Sequence, residues 1–171
     1  MVPAVPVFVR GWEIESSGHL PTIGASVEWR LAFIPLGTSW LTDVASVAFD
    51  AELTPSDYAG TLVCAGALVA HWESQRLETR RVHLTGIFTA GSHHPVRETV
   101  PATPGRIGRM FIVNRTYTFS DTMQRWDPLA GTAEVHPVET SPTHFRALPL
   151  EGEPRKRTIE EGLLVDLEII G

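Results

Sequence analysis

The chain has 171 residues, 43% of them hydrophobic and 20% charged, with a formal net charge of −6. That length suits one globular domain, 1–171, with a real core, and that balance excludes an intrinsically disordered chain. The negative charge argues against generic nucleic-acid binding, and no apolar run reaches the ~18–20 residues needed to span a bilayer.

The first ten residues, MVPAVPVFVR, are apolar but hold two prolines and no leading basic residue, which makes a poor signal peptide. Val5 to Ile14 reads as β-like, and the polar ESSGH that follows reads as a turn. Gly24 suits a second turn. Val27, Trp29, Leu31 and Phe33 then alternate with Glu28 and Arg30, the pattern of a half-buried strand.

Ser39–Leu53 fits a helix, with Leu41, Val44, Ala45, Ala48 and Phe49 at helical spacing and Pro55 to end it. Gly60–Ser74 is apolar on both alternating faces and predicts a central or bent barrel strand with Gly66 at the bend. SQRLE is the expected hairpin link to the next strand. There Val82, Leu84 and Phe88 fall on one face, and Arg81, His83 and Thr85 on the other.

Residues 92–108 are rich in Pro, Gly and Thr and predict the longest loop. GRMFIVNRTYTFS is a strand, DTMQRWDPLAG a turn or short helical piece, and GTAEVHPVE a short strand ended by Pro137. Residues 140–158 are loop-like, and the closing GLLVDLEII is strongly β. The sum is seven or eight strands, one short helix and long loops. Such a chain is mainly β: a small, partly open β-barrel, with a β-sandwich as the alternative. No βαβ alternation points to a nucleotide-binding sheet.

Charge is uneven along the chain. Residues 1–60 carry −5, residues 61–125 carry +4, and residues 126–171 carry −5. Arginine outnumbers lysine thirteen to one. Two readings are open for the basic middle third: its arginines pair with carboxylates of the flanking thirds, or they form an anion-binding face. Cys64, the single cysteine, sits in an apolar strand and reads as a structural thiol, which fits a reducing cytoplasm.

Chemical motifs are few. There is no G-x-S-x-G elbow, no zinc-type Cys/His spacing and no phosphate loop. His93 and His94 are adjacent and, on a loop, could converge with His83 around a metal, with Asp121 or Glu98 as a fourth ligand. Two solvated loop histidines explain them as well. PGRIGRM sets Gly105 and Gly108 beside Arg106 and Arg109, either a hairpin turn with solvated arginines or backbone and guanidinium donors around an anion. Glu134, His136 and Glu139 are close in sequence, and the first two would share a strand face. Of the five tryptophans, Trp29 is in phase with the core. The others suit core packing or a stacking platform.

Three stretches, GWEIESSGHLPTIGASVEWRL, GALVAHW and GLLVDLEI, resemble the opening, middle and closing strands of an uncharacterised family of small actinobacterial proteins. Members often carry paired cysteines where Ser16 and Ser17 stand, so any metal or redox work of those cysteines is absent from this chain. The resemblance implies a self-contained bacterial domain of unknown function.

The leading expectation is a non-catalytic binding module that presents loops 92–108 and 137–157 from a β scaffold. Its expected binding residues are His93, His94, Arg97, Arg106 and Arg109. Its expected partner is another protein or an anionic ligand, with no cofactor, no membrane and an open question of self-association. The alternatives are a metal-dependent hydrolase using His83, His93 and His94, and a single-stranded nucleic-acid-binding barrel.

Overall fold

The structure is a computed structural model and describes residues 4–57, 59–91 and 99–171. Strand makes up 60% of the chain and helix 8%, so the fold is mainly β. In chain order the elements are β1 (Ala4–Arg10), α1 (Gly11–Ser17), β2 (Ser26–Trp29), β3 (Leu31–Pro35), α2 (Leu41–Val44), β4 (Val47–Pro55) and β5 (Thr61–Ala65). Then come β6 (Leu68–Trp72), β7 (Arg80–Ala90), β8 (Thr103–Ser120), β9 (Arg125–Pro128), β10 (Glu134–Val138), β11 (Ala147–Leu150) and β12 (Glu153–Ile169).

Five of these strands close a barrel. β7 pairs β3, β3 pairs β6 in parallel, β6 pairs β5, β5 pairs β4, and β4 returns to β7. Period-2 alternation sends one side chain in two inward. Phe33 fills the middle, with ring centroids 5.8 Å from Phe49, 5.8 Å from Trp72 and 5.5 Å from Phe88. These edge and tilted contacts suit the aromatic quadrupole. Gly86 is the closure point: it stands opposite both Pro35 of β3 and Val47 of β4. A Cβ there would collide with the Ile34 carbonyl oxygen and stand 2.6 Å from the Phe33 ring, so only glycine lets both strands meet β7.

Outside the barrel, β8 and β12 form a long antiparallel pair. β1 joins this extension to the barrel, antiparallel to β12 and parallel to β7. The far edge of β8 carries β2, β10 and β9 in turn, and β12 also carries β11. One face of the extension continues the barrel core through Val5, Val7, Met110 and Leu163. The other face has a second core of Phe8, Ile87, Val113 and Leu164, covered by Leu41 and Trp40 at α2.

Several local expectations are corrected. The Val5–Ile14 strand stops at Arg10, and Gly11–Ser17 is helical. Gly11 lets the Phe145 ring pack against the start of this helix, because a Cβ on it would stand 2.6 Å from that ring. Gly18, with φ 69°, ends the helix by donating its N–H to the Ile14 carbonyl. The Ser39–Leu53 helix shrinks to Leu41–Val44; from Val47 the chain is a strand that buries Phe49, Ala51 and Leu53 and exposes Asp50 and Glu52. Gly60–Ser74 is a hairpin, β5 and β6, turned at Gly66 with φ 60°. SQRLE is no hairpin link: β6 and β7 do not pair, and β3 lies between them. The Val27–Phe33 run breaks at Arg30, so Trp29 pairs with β8 while Leu31 pairs with β6 and β7. The 92–108 loop ends before Thr103, and residues 140–158 hold β11 and the start of β12.

Candidate functional site

Of the residues singled out from the sequence, His93, His94 and Arg97 lie outside the described residues, as does Glu98. Arg106 and Arg109 sit within β8, so PGRIGRM is strand rather than turn. Its backbone groups are taken by neighbours: Ile107 donates to the Ala25 carbonyl at 2.9 Å, and its own carbonyl accepts from Gly24. Gly105 is needed for contact, since a Cβ there would stand 2.6 Å from Leu167. Both arginines are exposed beside carboxylates. Arg109 Nε donates to Asp166 at 2.8 Å, and Arg106 stands in register with Glu168. A face so balanced has little net field for an anion.

His83 Nδ1 lies 2.7 Å from Asp50 Oδ1 across the β4–β7 ladder, and both side chains are exposed. From His83 to Gly91, where the undescribed stretch departs, the chain runs eight residues along β7, about 26 Å. Among the described residues no group of three or more His, Cys, Asp or Glu is arranged to hold a metal ion. Glu134 and His136 do share a face of β10, 3.4 Å apart. Cys64 is half-buried, and burial pushes its thiol pKa up; Glu52 adds to this and a hydrogen bond with Thr54 opposes it. A thiol so placed is a poor nucleophile.

The structure assembles a different site. A cleft of about 340 Å³ lies where α1 crosses the ends of β1 and β7. Val9, Ile14, Pro21, Trp29 and Ala90 give it apolar walls, and Glu13, Ser17, His19, Glu28 and Arg30 supply polar groups. Eight of the eleven lining residues come from the single stretch Gly11–Leu31. That is the function of this stretch in the fold: α1 forms one wall, the chain returns through His19 and Pro21, and the β2–β3 break places Glu28, Trp29 and Arg30 opposite.

Local structure fixes these groups. Ile14 is buried and anchors α1. Glu13 and Ser17 share its side, one helical turn apart. Gly91 leaves room for the Glu13 carboxylate, which a Cβ at that position would strike. Arg30 Nε donates to the Val100 carbonyl at 3.1 Å, which holds its guanidinium in place. Glu28 is exposed and Trp29 half-buried, as alternation along β2 requires.

A family of unknown function, DUF6578, matches residues 3–169. The chain belongs to the DUF6578 family. The three stretches that resembled an uncharacterised family all fall inside the matched span. No curated protein and no solved structure matches this DUF6578 chain. No helix among its described residues is long and apolar enough to cross a membrane.

Sequence reading missed Glu13, His19, Glu28 and Arg30 as neighbours. The one available signal was the helical spacing of Glu13, Ile14 and Ser17 between Gly11 and Gly18. Over seven residues, that spacing competes with the alternation of Trp12 and Ile14.

Proposed function

We propose that this DUF6578 chain is a non-catalytic binding module and that the α1 cleft holds its ligand. The ligand chemistry is a basic group on an apolar stem, such as a lysine or arginine side chain presented by a partner protein. The observation that carries this is a lining that combines two carboxylates, Glu13 and Glu28, with the Trp29 side chain and the apolar residues Val9, Ile14, Pro21 and Ala90. A carboxylate and an aromatic face both favour a cation, and the apolar residues accommodate its stem. The volume lies in the range of small-ligand clefts. The filled barrel leaves its strands as rigid support, so recognition falls to the groups at its end.

The test is titration of the ¹⁵N-labelled chain with n-butylammonium and, separately, butyrate. Butylammonium is expected to shift the amide signals of residues 13–30 with a dissociation constant of about 1 mM, the range open to a five-atom fragment. Butyrate should leave them in place, and Glu28→Gln should weaken the butylammonium effect severalfold. Equal response to both probes, or none to butylammonium, would sink the reading.

A further inference from the structure

A second cleft lies on the opposite side of the extension from the shared core. It is about 340 Å³ and is bounded by Trp40 and Asp43 at α2, Arg115 of β8, Pro128 at the end of β9 and residues 129–133 after it. Its floor is an arginine held from three directions. The Arg115 guanidinium carbon sits 3.8 Å from the centroid of the Trp40 ring. Its Nε donates to Glu161 at 3.0 Å, and its Nη2 donates to the Tyr117 hydroxyl at 2.9 Å. The Tyr117 hydroxyl in turn donates to the same Glu161 oxygen. Arg115 and Glu161 keep only 15% and 18% of their side-chain surface. The turn opposite is pinned as well: the Thr116 N–H donates to Thr132 Oγ1, which itself donates to the Leu129 carbonyl at 2.7 Å.

This arrangement fixes the guanidinium before any ligand arrives. Nε and Nη2 are committed, while Nη1 donates to no group among the described residues. Asp43, on the same wall, is exposed and forms no ion pair with Arg115. An acid and a base that line one cleft without pairing offer opposite charges to a zwitterionic ligand. A carboxylate on Nη1 would gain a charge-assisted bond, and an ammonium would meet Asp43. Trp40, Pro128, Leu129, Ala130 and Ala133 supply the apolar part of the lining.

We infer that this cleft binds a free α-amino acid with an apolar side chain, its carboxylate on Arg115 and its ammonium facing Asp43. The site is separate from the α1 cleft and does not depend on what that cleft binds.

The probes are L-leucine, N-acetyl-L-leucine and L-leucinamide, added to the ¹⁵N-labelled chain while the indole N–H of Trp40 is followed. L-Leucine is expected to shift that signal. Each derivative lacks one charge and should bind about tenfold more weakly, the loss that follows one charge-assisted hydrogen bond. Asp43→Asn, an exposed change that leaves the fold intact, should bring L-leucine down to the level of N-acetyl-L-leucine. Arg115→Lys should abolish the preference for L-leucine over leucinamide. The inference is overturned if L-leucine leaves the Trp40 signal unmoved, if either derivative binds as well as L-leucine, or if Asp43→Asn has no effect.

Discussion

In the barrel, the groups that hold strands together are hydrocarbon: Phe33, Phe49, Phe88 and Leu53 point inward and are buried. In the outer part of the β8–β12 extension, the corresponding groups are charged or polar. Arg115 stacks on Trp40 and reaches Glu161, and the Arg157 guanidinium lies 4.2 Å from the Trp126 centroid. Edges differ as well. The barrel closes on itself, which removes its edges. The extension ends in short strands, β2, β9, β10 and β11, and three of these carry a proline, at Pro128, Pro137 and Pro149. Proline and brevity blunt strand edges against pairing with other chains. The difference shows how one continuous sheet can serve two ends: the barrel resists deformation, and the extension offers polar groups in fixed positions.

The sharpest way to break this comparison is to hollow out each region in turn. Phe33→Ala removes the ring that touches three other aromatics and should cost about 3–5 kcal/mol of folding stability, as for other buried aromatics. Phe119→Ala, at the tip of β8, removes a partly exposed ring whose aromatic neighbour is Trp126, and should cost less than half as much. Urea denaturation of both variants checks this. Equal losses would mean that the extension is as much a part of the stability core as the barrel.

What was legible in the sequence follows the same division. Val82, Leu84 and Phe88 show their alternation openly, and β7 has the faces expected of it. GRMFIVNRTYTFS and GLLVDLEII are also strands, but both start earlier: β8 begins at Thr103, where Pro104 and Gly105 read as loop, and β12 begins at Glu153, where a charged run carries no apolar signature. The 39–53 segment misleads because Leu41, Val44, Ala45, Ala48 and Phe49 satisfy a helical period, while the stronger constraint is the pairing of Val47–Leu53 with Arg80–Gly86, far along the chain. Helices of seven and four residues are too short for periodicity to declare them. Barrel closure and both clefts depend on such distant pairings. Arg106 and Arg109 were visible as charges; their partners Glu168 and Asp166 were visible only once β12 lay beside β8.

A smaller effect tests whether the outer cluster is a real electrostatic unit. Burial above all, then the hydrogen bond and negative charge of Glu161, push the Tyr117 hydroxyl up to about 12, with Arg115 opposing. The unfolded chain releases this proton near its usual 10, and the native chain keeps it to about 12. Between those values the unfolded state binds fewer protons, so stability falls as pH rises through that window. Below 10 the group contributes nothing to the pH dependence. Glu161→Gln removes a raising charge, so the Tyr117 tyrosinate step should move to lower pH and the alkaline loss of stability should shrink. Ultraviolet titration reads this directly, because the chain has only two tyrosines and Tyr117→Phe identifies the step. A step unmoved by Glu161→Gln would show that burial alone sets the titration.

The smallest expected effect lies on the barrel's outer wall. His83 and Asp50 are 2.7 Å apart, yet their side chains are 66% and 91% exposed. Water screens such a pair, and holding two mobile side chains costs entropy, so exposed ion pairs contribute at most about 1 kcal/mol. If the barrel's stability lies in its interior, Asp50→Asn should lower it by less than about 0.5 kcal/mol, and the double variant with His83→Ala should lower it by no more than the two single changes combined. A coupling above about 1 kcal/mol in that cycle would show that the outer wall carries load. The division between a hydrocarbon barrel and a polar extension would then have to be redrawn.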